Sequence, residues 1–370
     1  MTGKVVLISG HDYRSARRSN FHHIADAMVG LGFEVSFISI GYSYLSLLKG
    51  DSRNFLSRRA NQLEIQNHVQ CFLWKTTLHP FYPKILGLNF VSSLMYKPYA
   101  RLPNRFIDKE LRSATVILVE SGLTPLFLPR ARACNSSAQI IYYASDELRT
   151  IGAHPFLQAQ LENCRDIIDH VAVVSPKMAP SFAWAADRLY CVPHGINPVD
   201  FANGAGSPYT SRINGVSVGS MLFDSNFFIH ASSQFPDVEF HVIGSGSECR
   251  KSKNVHVYPE MPFKDTIPFI KNATFGIAPY CYAPGCEYLC DTSMKLMQYD
   301  YLEIAAVCPC FAVGANPNRH GYIPGVSQSI VEAINAAMKW NRSTVRNNLL
   351  TWTEVVLRLL NPAAFHDTRL

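Results

Sequence analysis

The run Asp291-Thr-Ser-Met-Lys-Leu-Met-Gln-Tyr-Asp-Tyr-Leu302 sets helix-capping residues directly before a lysine and a glutamine. Thr292 and Ser293 are N-cap types, and Asp291 suits a helix start. A helix that begins there presents unpaired backbone N–H groups and the positive end of its dipole, which together attract an anion. Lys295 adds a mobile charge in the first turn, and Gln298 shares its face. The chemistry this suits is holding a diphosphate; an ordinary capped surface helix has the same pattern.

A second group follows the first apolar run: Arg14, Arg17, Arg18, His22 and His23 within Tyr13–His23. So many cations exceed what a helix surface needs, and a substrate phosphate or carboxylate would explain them. A basic helix end is the alternative. His22 and His23 are adjacent and cannot chelate from one helix face. The ten cysteines lack paired metal-site spacing, and Cys308-Pro-Cys310 reads as two buried thiols in a reducing compartment.

These residues need elements to position them. The 370-residue chain is 48% hydrophobic, ample for two cores. Short β-rich runs alternate with helical stretches, the pattern of parallel α/β sheets. First-half strands are expected at Val5–Ser9, Val35–Ile40, Thr115–Glu120, Gln139–Ala144, Val171–Ser175 and Leu189–Val192. Second-half strands are expected at Gly215–Gly219, Glu239–Ile243, Val255–Tyr258, Phe275–Ala278 and Val307–Ala312. Phe201–Pro208 reads as a small-residue linker, so the expected domains are 1–200 and 201–345, both Rossmann-like, followed by 346–370. Helices are expected over Gln328–Asn341 and Thr344–Leu360.

In open parallel sheets, ligands bind at the carboxyl ends of the strands. That rule selects Gly10-His11-Asp12, Glu120, Asp146-Glu147 and Ser175 in the first half. In the second it selects Met221, Gly244-Ser245-Gly246, Glu260 and Tyr280.

The net charge is +6. Residues 1–200 hold 21 basic and 15 acidic residues, whereas 201–370 hold 13 of each. Tyr42–Arg112 alone carries 11 basic and 4 acidic residues, with Arg53, Arg58 and Arg59 among aromatics such as Tyr44, Phe55, Trp74, Phe81 and Phe90. Such a mixture suits an anionic membrane surface, where each Lys or Arg contributes about 1 kcal/mol. A solvated basic face is the alternative. Nucleic acid is not expected, since no recognised motif for it is present. The N-terminal strand is too short for a secretory signal, and the uncharged stretch Ile85–Tyr96 falls well short of the ~20 residues of a membrane span. Both point to a cytoplasmic chain.

Three pieces in order resemble the GT-B glycosyltransferases: Cys191-Val-Pro-His-Gly-Ile-Asn197, Val242-Ile-Gly-Ser-Gly246, and Lys295 with Gln298-Tyr299 running into Ala305–Phe311. Gln298 stands where a Glu is common in that family. Retaining members often carry two glutamates eight residues apart; here Glu287 is followed at that distance by Lys295, which favours an inverting enzyme. The resemblance implies an acceptor-binding first domain, a nucleotide-sugar-binding second domain, a facing cleft, and a C-terminal helix returning to the first domain. An inverting transfer needs one general base. Asp146 is the choice, an N-cap being its other reading; Asp12, His11 and Glu120 are in reserve. Glu260 and Tyr280 would orient the nucleotide, with Met221, Met294 and Gln298 lining the same pocket. Ser245 would lie in the turn near the phosphates. Lys295 and the helix end would steady the leaving diphosphate, and no metal or other cofactor is expected.

Gly10–Asn20, Tyr143–Glu147 and Ser293–Gln298 together resemble the bacterial β-glucuronosyltransferases of xanthan assembly. That implies UDP-glucuronate as donor and a β-1,2 linkage to the terminal mannose of a trisaccharide on undecaprenyl diphosphate. The same residues would hold donor and base. Partners would be the UDP-sugar, the polyprenyl-linked oligosaccharide and an anionic inner-membrane surface, on whose cytoplasmic face the protein would sit peripherally. The alternatives are a different UDP-sugar, an epimerase of the same fold, or a binder without turnover.

Overall fold

Runs rich in Val, Ile and Phe form buried parallel strands in two separate sheets, as strands covered on both faces must. The computed structural model describes residues 3–82, 92–202, 206–246, 249, 252–341 and 349–370. Two compact units result, one of Met1–Pro193 with Trp352–Leu370, the other of His194–Thr351.

The first unit holds β1 (Lys4–Ser9), β2 (Glu34–Ser43), β3 (Leu63–Gln66), β4 (Val69–Thr76), β5 (Val116–Glu120), β6 (Gln139–Ala144), β7 (His170–Val173) and β8 (Leu189–Cys191). Their order is β3-β4-β2-β1-β5-β6-β7-β8. All neighbours are parallel except β3 and β4. These two form a hairpin absent from the expected strands. Its turn residues Asn67 and His68 both take positive φ, 48° and 65°. A two-residue turn of that kind is usually marked by glycine, and none is present. Ser175 is not strand but an N-cap, its Oγ accepting from Lys177 N–H at 3.1 Å.

The helix Trp352–Leu360 packs on the helix Asn20–Gly30 within this unit. The Trp352 ring stacks on His23 at 5.1 Å and 8°. The Leu360 and Leu359 carbonyls meet Gln139 Nε2 at 3.2 Å and His170 Nε2 at 2.8 Å. This helix begins later than the expected Thr344. Leu350 accepts from Ile196 N–H at 2.8 Å and Thr351 bridges to Ile196, which keeps both extended. Residues 342–348 lie outside the described residues.

The second unit holds β9 (Asn214–Val218), β10 (Glu239–Ile243), β11 (Val255–Tyr258), β12 (Phe275–Ile277), β13 (Ala305–Pro309) and β14 (Arg319–Tyr322), ordered β11-β10-β9-β12-β13-β14 and all parallel. Phe227, Phe228, Phe240, Phe275, Ile277 and Val307 fill its core. β13 ends at Pro309, which cannot donate to a ladder, and Cys310–Ala312 turns away as a 3-10 helix. Cys308 is buried but Cys310 is exposed, so the expected pair of buried thiols is one. Phe201 is no linker residue: it lies in the short helix Pro198–Ala202, buried with Ile196 and Ile267. Residues 203–205 of the expected linker lie outside the described residues.

Candidate functional site

In the second unit the chain order reverses beside β9, between β10 and β12, the switch point at which open α/β sheets bind ligands. Met221, Ser245, Glu260 and Tyr280 follow the carboxyl ends of β9, β10, β11 and β12. The turns are packed together. Cys281 N–H donates to the Leu222 carbonyl at 2.6 Å, and Phe223 bridges to Tyr280. Leu222 is held at φ 45°, an uncommon conformation for a branched side chain. Gly246 has φ 65°, and a Cβ there would stand 2.8 Å from Ser220 Cβ. Only glycine lets the backbone of the turn after β10 come this close.

From β12 the chain reaches the helix Met294–Tyr301. Ser293 is its N-cap, its Oγ accepting from Leu296 N–H at 3.3 Å. That hydroxyl also lies 2.5 Å from Tyr280 Oη, and Lys295 Nζ lies 5.2 Å from the Tyr280 ring centre. Tyr280 is 2% exposed. Its buried ring supports the cap and the lysine rather than standing open for a base to stack on. Met294, Lys295 and Gln298 are half-buried, Ser245 is buried and Glu260 is exposed. Asp300 and Arg319 were not among the candidates. They form a buried ion pair, and Asn318 Nδ2 donates to Asp300 Oδ1 at 3.0 Å. Arg319 also donates to the Cys290, Ala312 and Val313 carbonyls. The helix is thereby fastened to β14 and to the turn before its own N-terminus.

In the first unit the adjacent strands β1, β5 and β6 end in Ser9, Glu120 and the Ser145-Asp146 turn. Asp146 is half-buried. Its backbone is fixed by Ser121: Asp146 N–H donates to Ser121 Oγ at 3.2 Å, and that hydroxyl donates to the Asp146 carbonyl at 2.7 Å. Ser9 Oγ donates to the buried Glu120 carboxyl and accepts from His11 N–H at 2.9 Å. Burial, opposed by Ser9 and reinforced by the charge of Asp146, pushes the Glu120 carboxyl up to about 8. Glu120 therefore holds its proton more tightly than an ordinary carboxylic acid, and Asp146 is the half-buried acidic residue of this rim.

The arginines separate by partner. Arg14 is buried and grips Asp12 through Nε and Nη2, both at 2.8 Å, and Glu64 at 2.7 Å. Burial opposes ionisation of Asp12, but Arg14 holds its carboxyl below the usual range. Neither Arg14 nor Asp12 is open to a substrate, which corrects the expectation for both. Arg18 pairs with Asp26. Arg53 pairs with Asp51 at 2.8 Å and donates to the Gly10 and Ile40 carbonyls, both at 2.8 Å. Arg59 pairs with Glu64. Arg17 and Arg58 are exposed. His22 is structural: Ser19 N–H donates to Nδ1 at 2.9 Å, and burial with Arg18 nearby lowers its pKa to about 3. Among the described residues no group of His, Cys, Asp and Glu could hold a metal ion.

Residues 7–174 match the family model described as the glucuronosyltransferase GumK, N-terminal domain. Over 367 residues the chain is 41% identical to the UDP-glucuronate:glycolipid 2-β-glucuronosyltransferase of Xanthomonas campestris pv. campestris, covering 99% of this chain and 91% of that protein. Among solved structures it resembles α,α-trehalose 6-phosphate synthase of Burkholderia multivorans, with TM-score 0.59 and 12% identity over 98% of this chain and 93% of that one. It also resembles the E. coli trehalose-6-phosphate protein bound with UDP-2-fluoro glucose, with TM-score 0.58 and 10% identity over 97% and 94%. At these identities the structures speak for the fold alone, and the fold is GT-B.

Proposed function

The chain belongs to the GumK glucuronosyltransferase family, and from that membership we propose that it transfers glucuronate from UDP-glucuronate to a glycolipid with inversion. Asp146 takes the proton from the acceptor hydroxyl. The hydroxyl oxygen bonds to C1 of the glucuronosyl group as the bond from C1 to the UDP oxygen breaks, and UDP departs with that electron pair. Lys295 and the N-terminus of Met294–Tyr301 offset the charge that grows on the diphosphate. The observation that carries this assignment is the Ser293–Tyr280–Lys295 cluster, which places a cation and a capped helix end on the carboxyl rim of β12. Met221, Ser245, Glu260, Met294 and Gln298 complete the donor pocket.

The finer acceptor is the terminal mannose of an undecaprenyl-diphosphate-linked trisaccharide, joined β-1,2, in xanthan-type exopolysaccharide assembly. Such an acceptor requires the protein to sit peripherally on the anionic cytoplasmic face of the inner membrane. Among the described residues no helix is long and apolar enough to cross a membrane. Supporting a surface position, Tyr44, Leu48, Phe55 and Phe81 are exposed, at 58%, 84%, 58% and 38%. Lys75 lies 4.2 Å from the Tyr44 ring and Lys49 5.8 Å from that of Phe81. Tyr42, Phe72, Trp74, Tyr96 and Tyr99 are core residues instead, and Phe90 lies outside the described residues.

The test is transfer of radiolabelled glucuronate from UDP-glucuronate to extracted polyprenyl-diphosphate oligosaccharides, with wild type and Asp146→Ala side by side. Label in the lipid fraction with wild type alone supports the reaction and its base. No label with either protein, despite UDP binding, removes this donor or this acceptor.

A further inference from the structure

Lys295 lies five residues after Cys290 and five before Asp300, and one guanidinium holds both flanking positions. Arg319 is the first residue of β14, the edge strand of the second sheet. Its Nε donates to Asp300 Oδ1 at 3.2 Å, and its Nη2 donates to Asp300 Oδ2. Its Nη1 donates to the Cys290 carbonyl, in the short helix Leu289–Thr292 that leads into the Ser293 cap. The same nitrogen reaches the Ala312 and Val313 carbonyls, at 3.2 and 3.3 Å, where the chain turns after β13. The carboxylate is as fully engaged. Asp300 Oδ1 also accepts from Asn318 Nδ2 at 3.0 Å, and Oδ2 from Asn316 Nδ2 at 3.1 Å, so four donors fill its lone pairs. Asn318 Nδ2 donates further to the Ile304 carbonyl at 3.0 Å. Gly314, at φ 63°, lets the turn after β13 close on this group: a Cβ there would stand 3.3 Å from Cys290 Cβ and 3.7 Å from Arg319 Nη1. All of these residues belong to the second unit.

Stability alone does not account for the pair. Taking two charges out of water costs so much that apolar residues of the same volume often serve a core as well or better. Apolar residues cannot, however, bind a carboxylate on one helix and backbone carbonyls on another segment at once. A guanidinium does so because its five N–H donors lie in one rigid plane, whereas an ammonium is a point charge with three. The segments that Arg319 joins are those on either side of Ser293, Met294 and Lys295. These three residues carry the cap and the cation, and the buried Tyr280 supports them from β12. The Arg319 side chain is itself 2% exposed, so it cannot touch a diphosphate and acts on one only through what it holds.

We propose that Arg319, with Asp300, is the positioning residue of the donor diphosphate site: by anchoring the chain at Cys290 and at Asp300 it fixes where Ser293 and Lys295 meet the diphosphate. The assignment rests on the reading above that puts the leaving diphosphate at Lys295. A preorganised cation acts fully only if it already stands where charge develops, and a displacement of about 1 Å from a distant change can cost on the order of a hundredfold. The buried pair thus supplies donor affinity from a place the donor never reaches.

The probe is UDP, titrated by calorimetry well below the melting transition of each variant. Arg319→Lys keeps the charge beside Asp300 but not the fork that spans both anchors. Asp300→Asn keeps the shape and cuts the tie to the helix body, and it keeps the test decisive if Arg319→Lys does not fold. Each should weaken UDP about tenfold while still folded. In the transfer assay each should raise KM for UDP-glucuronate about tenfold and leave KM for the lipid-linked acceptor unchanged. Because the effect runs through Lys295, combining either change with Lys295→Ala should weaken UDP no further than Lys295→Ala alone. Wild-type UDP affinity in both folded variants overturns the proposal and leaves the pair a purely structural one. Additive losses with Lys295→Ala overturn it too, as does unaltered UDP binding in Lys295→Ala. Should the UDP pattern hold while wild type transfers no glucuronate, the transferase reading falls and the positioning role stands.

Discussion

The ring of Tyr299 lies directly on Gly276, so near that a Cβ on the glycine would stand 2.4 Å from ring carbons. The Tyr299 hydroxyl then reaches over β9 and β12 to the Val216 and Ile277 carbonyls at 3.0 and 3.3 Å. One residue with no side chain therefore sets how closely the helix Met294–Tyr301 approaches the sheet. Gly276→Ala should destabilise the protein by about 1–3 kcal/mol through overpacking and weaken UDP binding with it. Tyr299→Phe, which keeps the ring, should cost only about 1 kcal/mol. Thermal melts with and without UDP check both; an unchanged melt for Gly276→Ala would contradict the packing described.

Asp146→Ala should lower kcat by about 10²–10⁴, the usual contribution of a general base, while UDP binding measured by calorimetry stays close to wild type. Turnover within a few-fold of wild type would remove Asp146 as the base.

Lys295→Ala should lower kcat/KM for the donor by about 10²–10³, the range seen when a preorganised charge-stabilising group is lost. Steady-state kinetics over a range of UDP-glucuronate concentrations measures this, and unchanged kinetics would assign the diphosphate elsewhere.

Glu120 makes a stability prediction with a definite sign. Its carboxyl titrates at about 8 in the fold, above the ordinary carboxylate value, because it is buried beside Asp146. Between the unfolded value near 4.3 and about 8 the folded state binds the extra proton, so stability falls as pH rises through that window. Melting temperatures at pH 5, 6, 7 and 8 should decline in wild type and decline less in Glu120→Gln. Parallel declines would show that this carboxyl is not the source.

Vesicle sedimentation tests the surface patch. Leu48→Asp and Arg58→Glu should each reduce binding to vesicles containing anionic lipid, and a neutral vesicle should hold wild type poorly. Equal sedimentation of all three proteins would assign the membrane contact to another face.

Much of the architecture was legible because the strands that bear the site are local, apolar on both faces and followed by turn residues. β6 with Asp146 and β12 with Tyr280 are examples. What escaped depends on distant partners or on backbone strain. β3 and β4 were missed because Asn67 and His68 make a glycine-type turn without glycine. β14 was missed because its first residue, Arg319, is a cation that only the buried Asp300 makes tolerable. Arg14 looked like a substrate ligand because Glu64, which holds it, comes from another strand. The segment Pro176–Arg188, where Phe182 and Ala185 leave helical geometry, has no periodic pattern to read.

The stacking of His23 on Trp352 joins two residues of one unit between which the whole of the other unit is spelled out. During synthesis at about 5–20 residues per second, His23 waits roughly ten to thirty seconds for its partner after the first sheet is complete. Throughout that interval the face of Asn20–Gly30 that Trp352, Val355, Val356 and Leu359 will cover is bare. A chain cut short within the second unit therefore has a first unit without the helix Trp352–Leu360 that covers it.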